Sequence, residues 1–178
     1  MSEPNVRDVL QVYLRDHHAG ARSALDLLDR MIRETSADAD DHRSFLVELQ
    51  KAIDSDLATL ETVMERLDIS PSRSKDILLR LGERFGRGKL NGSVTSRSPL
   101  SRLLELEALE AGIRSKQRLW SSLEAMAPSV PNLQSFDFQG LWTKADRQVR
   151  EVGEWHVDVA RGIVERPDSA AAAASAQV

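Results

Sequence analysis

The stretch "HRSFLVELQKAIDSDLATLETVMERL", His42 to Leu67, decides the fold class of this 178-residue chain. Its apolar positions recur in alternating steps of three and four residues, which is the period of one face of an α-helix. The positions on that face are Leu46, Leu49, Ile53, Asp56, Leu60, Val63 and Leu67. Pro71 follows and disfavours helical geometry in the residue before it. The stretch therefore predicts one long amphipathic helix with a single carboxylate on its apolar face.

The same helical period recurs in three other segments, about Val6 to Glu34, Pro99 to Met126 and Phe138 to Glu165. The first and second helices are joined by a short loop, as are the third and fourth, whereas about 30 residues separate the second from the third. Two antiparallel hairpins joined by one long crossover form the ferritin-like four-helix bundle topology. We therefore predict an all-α, ferritin-like bundle that forms a single domain over residues 1–166.

The crossover between the second and third helices has an unusual charge. Residues 71–102 contain eight basic and two acidic side chains, so this segment carries +6 and the rest of the chain carries −10. A short amphipathic helix is predicted within it, from about Ser74 to Phe85. Basic surfaces bind anions by neutralising phosphate charge. The candidate anion-binding residues are Arg73, Lys75, Arg80, Arg84, Arg87 and Lys89.

The composition excludes several classes of protein and site. The net charge of −4 argues against nucleic acid as a partner of the whole molecule. Without cysteine, the chain has no disulfides, thiolate metal ligands or cysteine nucleophiles. The polar N-terminus and the absence of a long apolar run predict a cytoplasmic chain without a transmembrane segment. The alanine-rich residues 167–178 are predicted to be a disordered tail, because an isolated short helix is marginal in water.

Each predicted helix places a polar residue on its apolar stripe. These residues are His17, Asp56, Glu110 and His156, with Glu107 one position round the third helix. Counted from the loops, their heights agree to within about one turn at ~1.5 Å per residue. We therefore predict one polar layer across the bundle. It is either a hydrogen-bonded layer that fixes helix register or a site for a metal ion.

Two imidazoles and carboxylates form a ligand set that suits Fe, Zn or Mn. The metal-site interpretation names His17, Asp56, Glu107, Glu110 and His156 as ligands. A di-iron centre also requires Glu-x-x-His on two helices. The chain contains no such motif, since Gly153 and Leu14 stand three residues before the two histidines. A ferroxidase centre of the standard type is therefore not predicted.

Four segments carry a resemblance to a known group of proteins. They are "YLRDHHAGARSALDLL", "DSDLATLETVMERL", "KLNG" followed by "SPLSRLLELEALEAGI", and Gln148 to Ala160. Together they resemble small bacterial proteins that are grouped as ferritin-like, over about Leu10 to Val164. The resemblance implies a ferritin-like fold, here without the di-iron ligand pattern. It implies no established activity.

Three functions follow as hypotheses. The first is a non-catalytic bundle that acts by self-association or by binding a protein partner, because no nucleophile constellation or phosphate-binding loop is evident. The second is a metal-binding protein or metal-dependent oxidoreductase that uses the predicted His/carboxylate layer. The third is anion or nucleic-acid binding through the basic segment 71–102, against which stands the near absence of aromatic residues there.

Overall fold

The computed structural model of the protein describes residues 6–35, 40–71 and 99–165. Within these ranges the regular structure is helical, and they contain no strand. The helices are α1 (Val6–Glu34), α2 (Asp40–Arg66), α3 (Pro99–Met126) and α4 (Phe138–Glu165), with two short 3-10 turns, Ala127–Ser129 and Pro131–Leu133, before α4. Over the described residues, the prediction of an all-α fold with four long helices is confirmed.

Three predictions made for the rest of the chain lie outside the described residues. They are the short helix from about Ser74 to Phe85, the disordered tail over residues 167–178, and the group of candidate anion-binding side chains. That group comprises Arg73, Lys75, Arg80, Arg84, Arg87 and Lys89.

The helices that are neighbours in sequence pack in antiparallel pairs. In the first pair, Arg7 near the start of α1 donates to the backbone oxygen of Asp68 just beyond α2, at 3.2 Å. At the other end, Arg43 donates to the backbone oxygen of Ile32 at 2.7 Å. In the second pair, Glu107 on α3 meets His156 on α4 at 3.2 Å.

The two pairs pack against each other with α1 beside α3 and α2 beside α4. Tyr13 on α1 donates to Ser122 near the end of α3 at 3.2 Å, so these two helices also run antiparallel. The rings of Phe45 on α2 and Trp155 on α4 stack with centroids 5.2 Å apart. It follows that α2 and α3 run in the same direction, and that residues 71 and 99 lie at opposite ends of the bundle.

The core is formed by the apolar stripes of all four helices. Its fully buried members include Leu14, Leu28, Leu46, Ile53, Val63, Leu106, Leu109, Leu119, Trp120 and Val152. On α3 the buried residue between Leu106 and Ile113 is Leu109, whereas Glu110 is only partly buried. The prediction that Glu110 points inward is therefore wrong by one residue, which is a rotation of about 100° on a helix. The rotation follows from the apolar residues of the helix, because more apolar surface is buried when Leu109, rather than Glu110, faces the core between Leu106 and Ile113.

The ends of two helices show how local sequence sets the bundle geometry. At the end of α2, Asp68 has a left-handed backbone with φ of 55°, and Ile69 donates to the backbone oxygen of Met64 at 2.9 Å. This is the Schellman arrangement, which stops a helix and here buries Ile69. At the start of α4, Asp137 accepts from the amide of Gly140 at 2.8 Å and so caps the first turn.

Candidate functional site

One carboxylate, Asp56 of α2, lies in the interior of the bundle with its side chain 3% exposed. Its Oδ2 accepts from Lys116 Nζ of α3 at 2.5 Å, and its Oδ1 accepts from Lys144 Nζ of α4 at 2.8 Å. Gln148 of α4 donates to Asp56 Oδ2 at 3.3 Å and accepts from Lys116 Nζ at 2.6 Å. We call these four residues the Asp56 cluster; it connects three of the four helices.

The Asp56 cluster holds two ammonium groups for one carboxylate. Burial lowers the pKa of Lys116, the attraction of Asp56 opposes that shift, and repulsion by Lys144 adds to it. The side chain of Lys144 is 29% exposed and that of Lys116 is 13% exposed. Water therefore solvates the ammonium group of Lys144 better than that of Lys116. The excess charge in the interior therefore falls mainly on Lys116.

The geometry of the cluster indicates what it can do chemically. A desolvated lysine amine next to a second cation is a type of group that acts as a nucleophile or base. Lys116, however, donates to both Asp56 and Gln148, and each of these acceptors is buried. The contacts thus hold the amine in the interior and fix α2, α3 and α4 at one height.

Three members of the cluster were not predicted from the sequence. Lys116 stands three residues after Ile113 and four before Trp120, which places it on the buried side of α3. Gln148 stands between Ala145 and Val152 at the same spacing on α4. A lysine or glutamine on an apolar stripe opposite a buried aspartate is the signal that identifies such a partner.

His17, the predicted ligand of α1, is partly buried and lies with its ring edge on Tyr13, the ring centroids 4.6 Å apart. Burial lowers its pKa, and the neighbouring carboxylate of Asp16 opposes the shift. Desolvation therefore dominates, and the neutral imidazole is the form that the fold favours. The carboxylate of Asp56 contacts two lysines and a glutamine, so its charge is neutralised by these lysines and not by His17.

Replacement of His17 by leucine tests this placement. Because the folded protein has the lower pKa, the unfolded chain binds more protons between that value and about 6.5, and acidification destabilises the native state. We expect His17→Leu to lower the free energy of unfolding by less than about 1 kcal/mol at pH 8. As the pH falls to 5, the stability of the variant should rise relative to that of wild type. Urea unfolding at both pH values measures this. Arg22→Leu, at an exposed site on α1, should show a difference that does not depend on pH, and the same result for His17→Leu would contradict the placement.

The structure brings two other predicted ligands together. Glu107 of α3 and His156 of α4 are in contact at 3.2 Å, with side chains 56% and 30% exposed. Glu110 instead pairs with Arg114 one turn along the same helix at 2.8 Å. The histidine next to His17 in sequence, His18, meets Glu61 of α2 at 2.9 Å. These pairs lie at the surface, either between two helices or along one helix, and a surface pair contributes about 0–1 kcal/mol to the free energy of unfolding.

The five predicted metal ligands are therefore divided among four separate contacts. Over residues 6–35, 40–71 and 99–165, no group of three or more His, Asp or Glu side chains is placed to hold one metal ion. The binding of Fe, Zn or Mn by His17, Asp56, Glu107, Glu110 and His156 stays a prediction from the sequence. The polar residues in the interior are satisfied by lysine and glutamine partners at Asp56.

A second feature is apolar and exposed. At the end of the bundle where α3 begins and α4 ends, four large aliphatic side chains face solvent, and we call them the α3/α4 patch. They are Leu100, Leu104, Val157 and Val164, which are 61%, 45%, 44% and 79% exposed. The Glu107–His156 contact sets the register of the two helices and places Leu100 beside the last turn of α4. Single exposed aliphatic residues are common, whereas larger groups of exposed apolar side chains are a feature of interaction surfaces.

Comparisons of the chain with models of protein families, with curated proteins and with solved structures return no match. In the part of the chain that the structure describes, no helix has both the length and the apolar character that crossing a membrane requires. The Asp56 cluster and the α3/α4 patch are the two features of the described residues that bear on function.

Proposed function

We propose that the protein is a ferritin-like helical bundle that acts by protein association rather than by catalysis. The fold assignment is supported by the helix order and directions. Helices α1 and α2 pair antiparallel, α3 and α4 pair antiparallel, and the connection over residues 72–98 joins opposite ends of the bundle. One long crossover between two such pairs is the ferritin-like arrangement.

The observation that carries the association function is the α3/α4 patch. Its four aliphatic side chains lose contact with water only if another protein surface covers them, and that loss is favourable by about 25 cal/mol per Å² of apolar area. Charged and polar groups border the patch, among them the Glu107–His156 pair. An apolar centre with a polar rim is typical of protein interfaces.

The Asp56 cluster supports the same proposal from the interior. Its polar atoms satisfy one another, and its buried carboxylate contacts lysine and glutamine. An ionic group of this kind sets the relative positions of α2, α3 and α4 and keeps the outer surface of the bundle rigid. A rigid surface loses little conformational entropy when a partner binds, which favours association.

The apparent mass of the chain in an extract of cells that naturally produce it tests the proposal. We expect wild type to migrate in a complex above its monomer mass of 19.8 kDa. The double variant Leu100→Glu/Val164→Lys should migrate as the monomer, because two charges on the patch are costly to bury. Both changes complement the helix dipole at their ends of α3 and α4, so the fold should be retained, as circular dichroism would verify.

The matched control places the same pair of charges at the opposite end of the bundle. Val9→Glu/Val12→Lys alters two exposed valines of α1, which are 54% and 60% exposed. This control should keep the mass of the wild-type complex. A wild-type chain that is monomeric in the extract, or a patch variant that retains the complex, would show that the α3/α4 patch is not an association surface.

A further inference from the structure

The outer surface of α4 carries an ordered row of exposed residues. From Arg150 onward the spacing is four, three, four and three, so these side chains lie along one side of the helix. The row is Arg150, Glu154, Val157, Arg161 and Val164, with Glu165 beside its end, and all of these residues are exposed. Val157 and Val164 belong to the α3/α4 patch, so the row and the patch are continuous.

The charges in this row are antisymmetric about its centre, which lies between Val157 and Asp158. Glu154 and Arg161 are equally distant from that point and opposite in sign, and so are Arg150 and Glu165. A two-fold axis through the centre brings an antiparallel second α4 alongside the first. Each arginine of one copy then stands opposite a glutamate of the other, which makes four charge pairs between copies.

We infer that the partner of this surface is a second copy of the chain, bound through α4 in an antiparallel two-fold arrangement. The inference rests on the proposed association function and names its partner. An isologous contact needs a surface that is complementary to itself, and the charge row of α4 has that property. A parallel arrangement would place each charge against its own copy, so the row also selects the direction of pairing.

The apolar residues complete the contact. Val157 lies next to the axis and approaches its own copy, while Val164 of one chain is adjacent to Glu165, the position that faces the arginine at 150 of the other, whose aliphatic stem extends over it. Leu100, beside the last turn of α4, extends the apolar surface towards α3. The intrahelical contacts of the row leave it accessible: Arg161 meets Asp158 at 3.1 Å and Arg150 meets Asp146 at 3.5 Å, and both arginine side chains are more than 60% exposed.

Charge exchange between two single variants tests this arrangement with the purified full chain. In Glu154→Arg and in Arg161→Glu, like charges face each other in a homodimer, and we expect the dissociation constant to rise by about tenfold or more in each. An equimolar mixture of the two variants restores opposite charges at both positions. We expect the mixture to form dimers that contain one copy of each variant.

Sedimentation equilibrium with one variant carrying a mass tag measures these masses, and circular dichroism checks that each variant is folded. Arg33→Glu is the matched control for Arg161→Glu: its arginine also pairs within a helix, with Asp29 of α1, and the change in net charge is −2 in both variants. It should dimerise as wild type does. Because the charge pairs are exposed, raising the salt concentration should weaken the wild-type dimer.

Two results would overturn the inference. One is a monomeric wild-type chain at about 100 µM, a concentration that would populate even a weak dimer. The other is a mixture of the two variants that stays monomeric although wild type dimerises. A chain that is monomeric when purified yet forms a patch-dependent complex in the cell extract would retain the proposed association function and assign it to a different protein. A chain that is monomeric in both experiments would refute both proposals.

Discussion

Replacement of Asp56 by alanine is expected to destabilise the protein by about 3–5 kcal/mol, which is the usual cost of removing one partner from a buried ion pair. The variant leaves Lys116 with an excess charge in the interior, where the amide oxygen of Gln148 accepts from it. Lys144 also loses its carboxylate, although its partly exposed side chain can turn to solvent. Urea unfolding followed by circular dichroism measures the loss as a change in the midpoint.

The matched control for Asp56→Ala is an ion pair of the same type at the surface. Glu48 of α2 pairs with Lys51 at 2.7 Å, and both side chains are about two-thirds exposed. Glu48→Ala should change the free energy of unfolding by less than about 0.5 kcal/mol, since exposed pairs contribute little. A loss of less than about 1 kcal/mol in Asp56→Ala would show that Asp56 and its lysines are not a buried pair in solution.

The helices themselves were accessible from the sequence because their signals are local. The three-and-four spacing of leucines identifies α2 without reference to any other segment, and Pro99 fixes the start of α3 in agreement with the structure. The end of α2 was harder to predict from the sequence, because it depends on the left-handed backbone at Asp68 as well as on Pro71. Local periodicity thus predicts where helices lie to within a few residues.

The partners inside the bundle were less accessible, because they depend on helix rotation and on packing between segments distant in sequence. On α3 a rotation of one residue exchanges Glu110 for Leu109 in the core. The lysine partners of Asp56 were not predicted for a related reason. A lysine is ordinarily expected to face solvent even when it lies on the apolar side of a helix. The sequence identified the buried carboxylate correctly, but it assigned histidine and glutamate as its neighbours where the structure has Lys116, Lys144 and Gln148.

This difference changes the expected role of the interior. Histidines and carboxylates in one layer are a ligand set that suits a metal ion, whereas the carboxylate of Asp56 contacts two ammonium groups and one amide. The contacts of Asp56 fix the relative positions of α2, α3 and α4, and the association that we propose for the protein involves its surface. The exposed row on α4 and the α3/α4 patch are the parts of that surface with a pattern that a random polar surface lacks.

Replacing the core of the Asp56 cluster by apolar side chains should recover most of what Asp56→Ala loses. In Asp56→Leu/Lys116→Met/Gln148→Leu, the buried charge and its polar neighbours are removed together, so no polar group of the cluster is stranded in the interior. Lys144 remains and reaches solvent from its partly exposed position. Exchanges of this kind in other proteins are neutral or stabilising by about 1–4 kcal/mol. We expect the triple variant to unfold at a urea midpoint equal to or above that of wild type.

The pH dependence of stability shows whether the triple variant gains from removal of the buried charge of Lys116 or only from better packing of apolar side chains. The pKa of Lys116 is lowered in the folded protein, so between that value and its ordinary value near 10.5 the unfolded chain binds more protons. Wild type should therefore gain stability relative to the triple variant as the pH rises through this interval, and lose it as the pH falls. Urea midpoints at intervals from pH 7 to about pH 10.5 measure the effect. A constant difference between the two proteins would mean that Lys116 is not desolvated, and the excess charge would then lie in solvent rather than in the core.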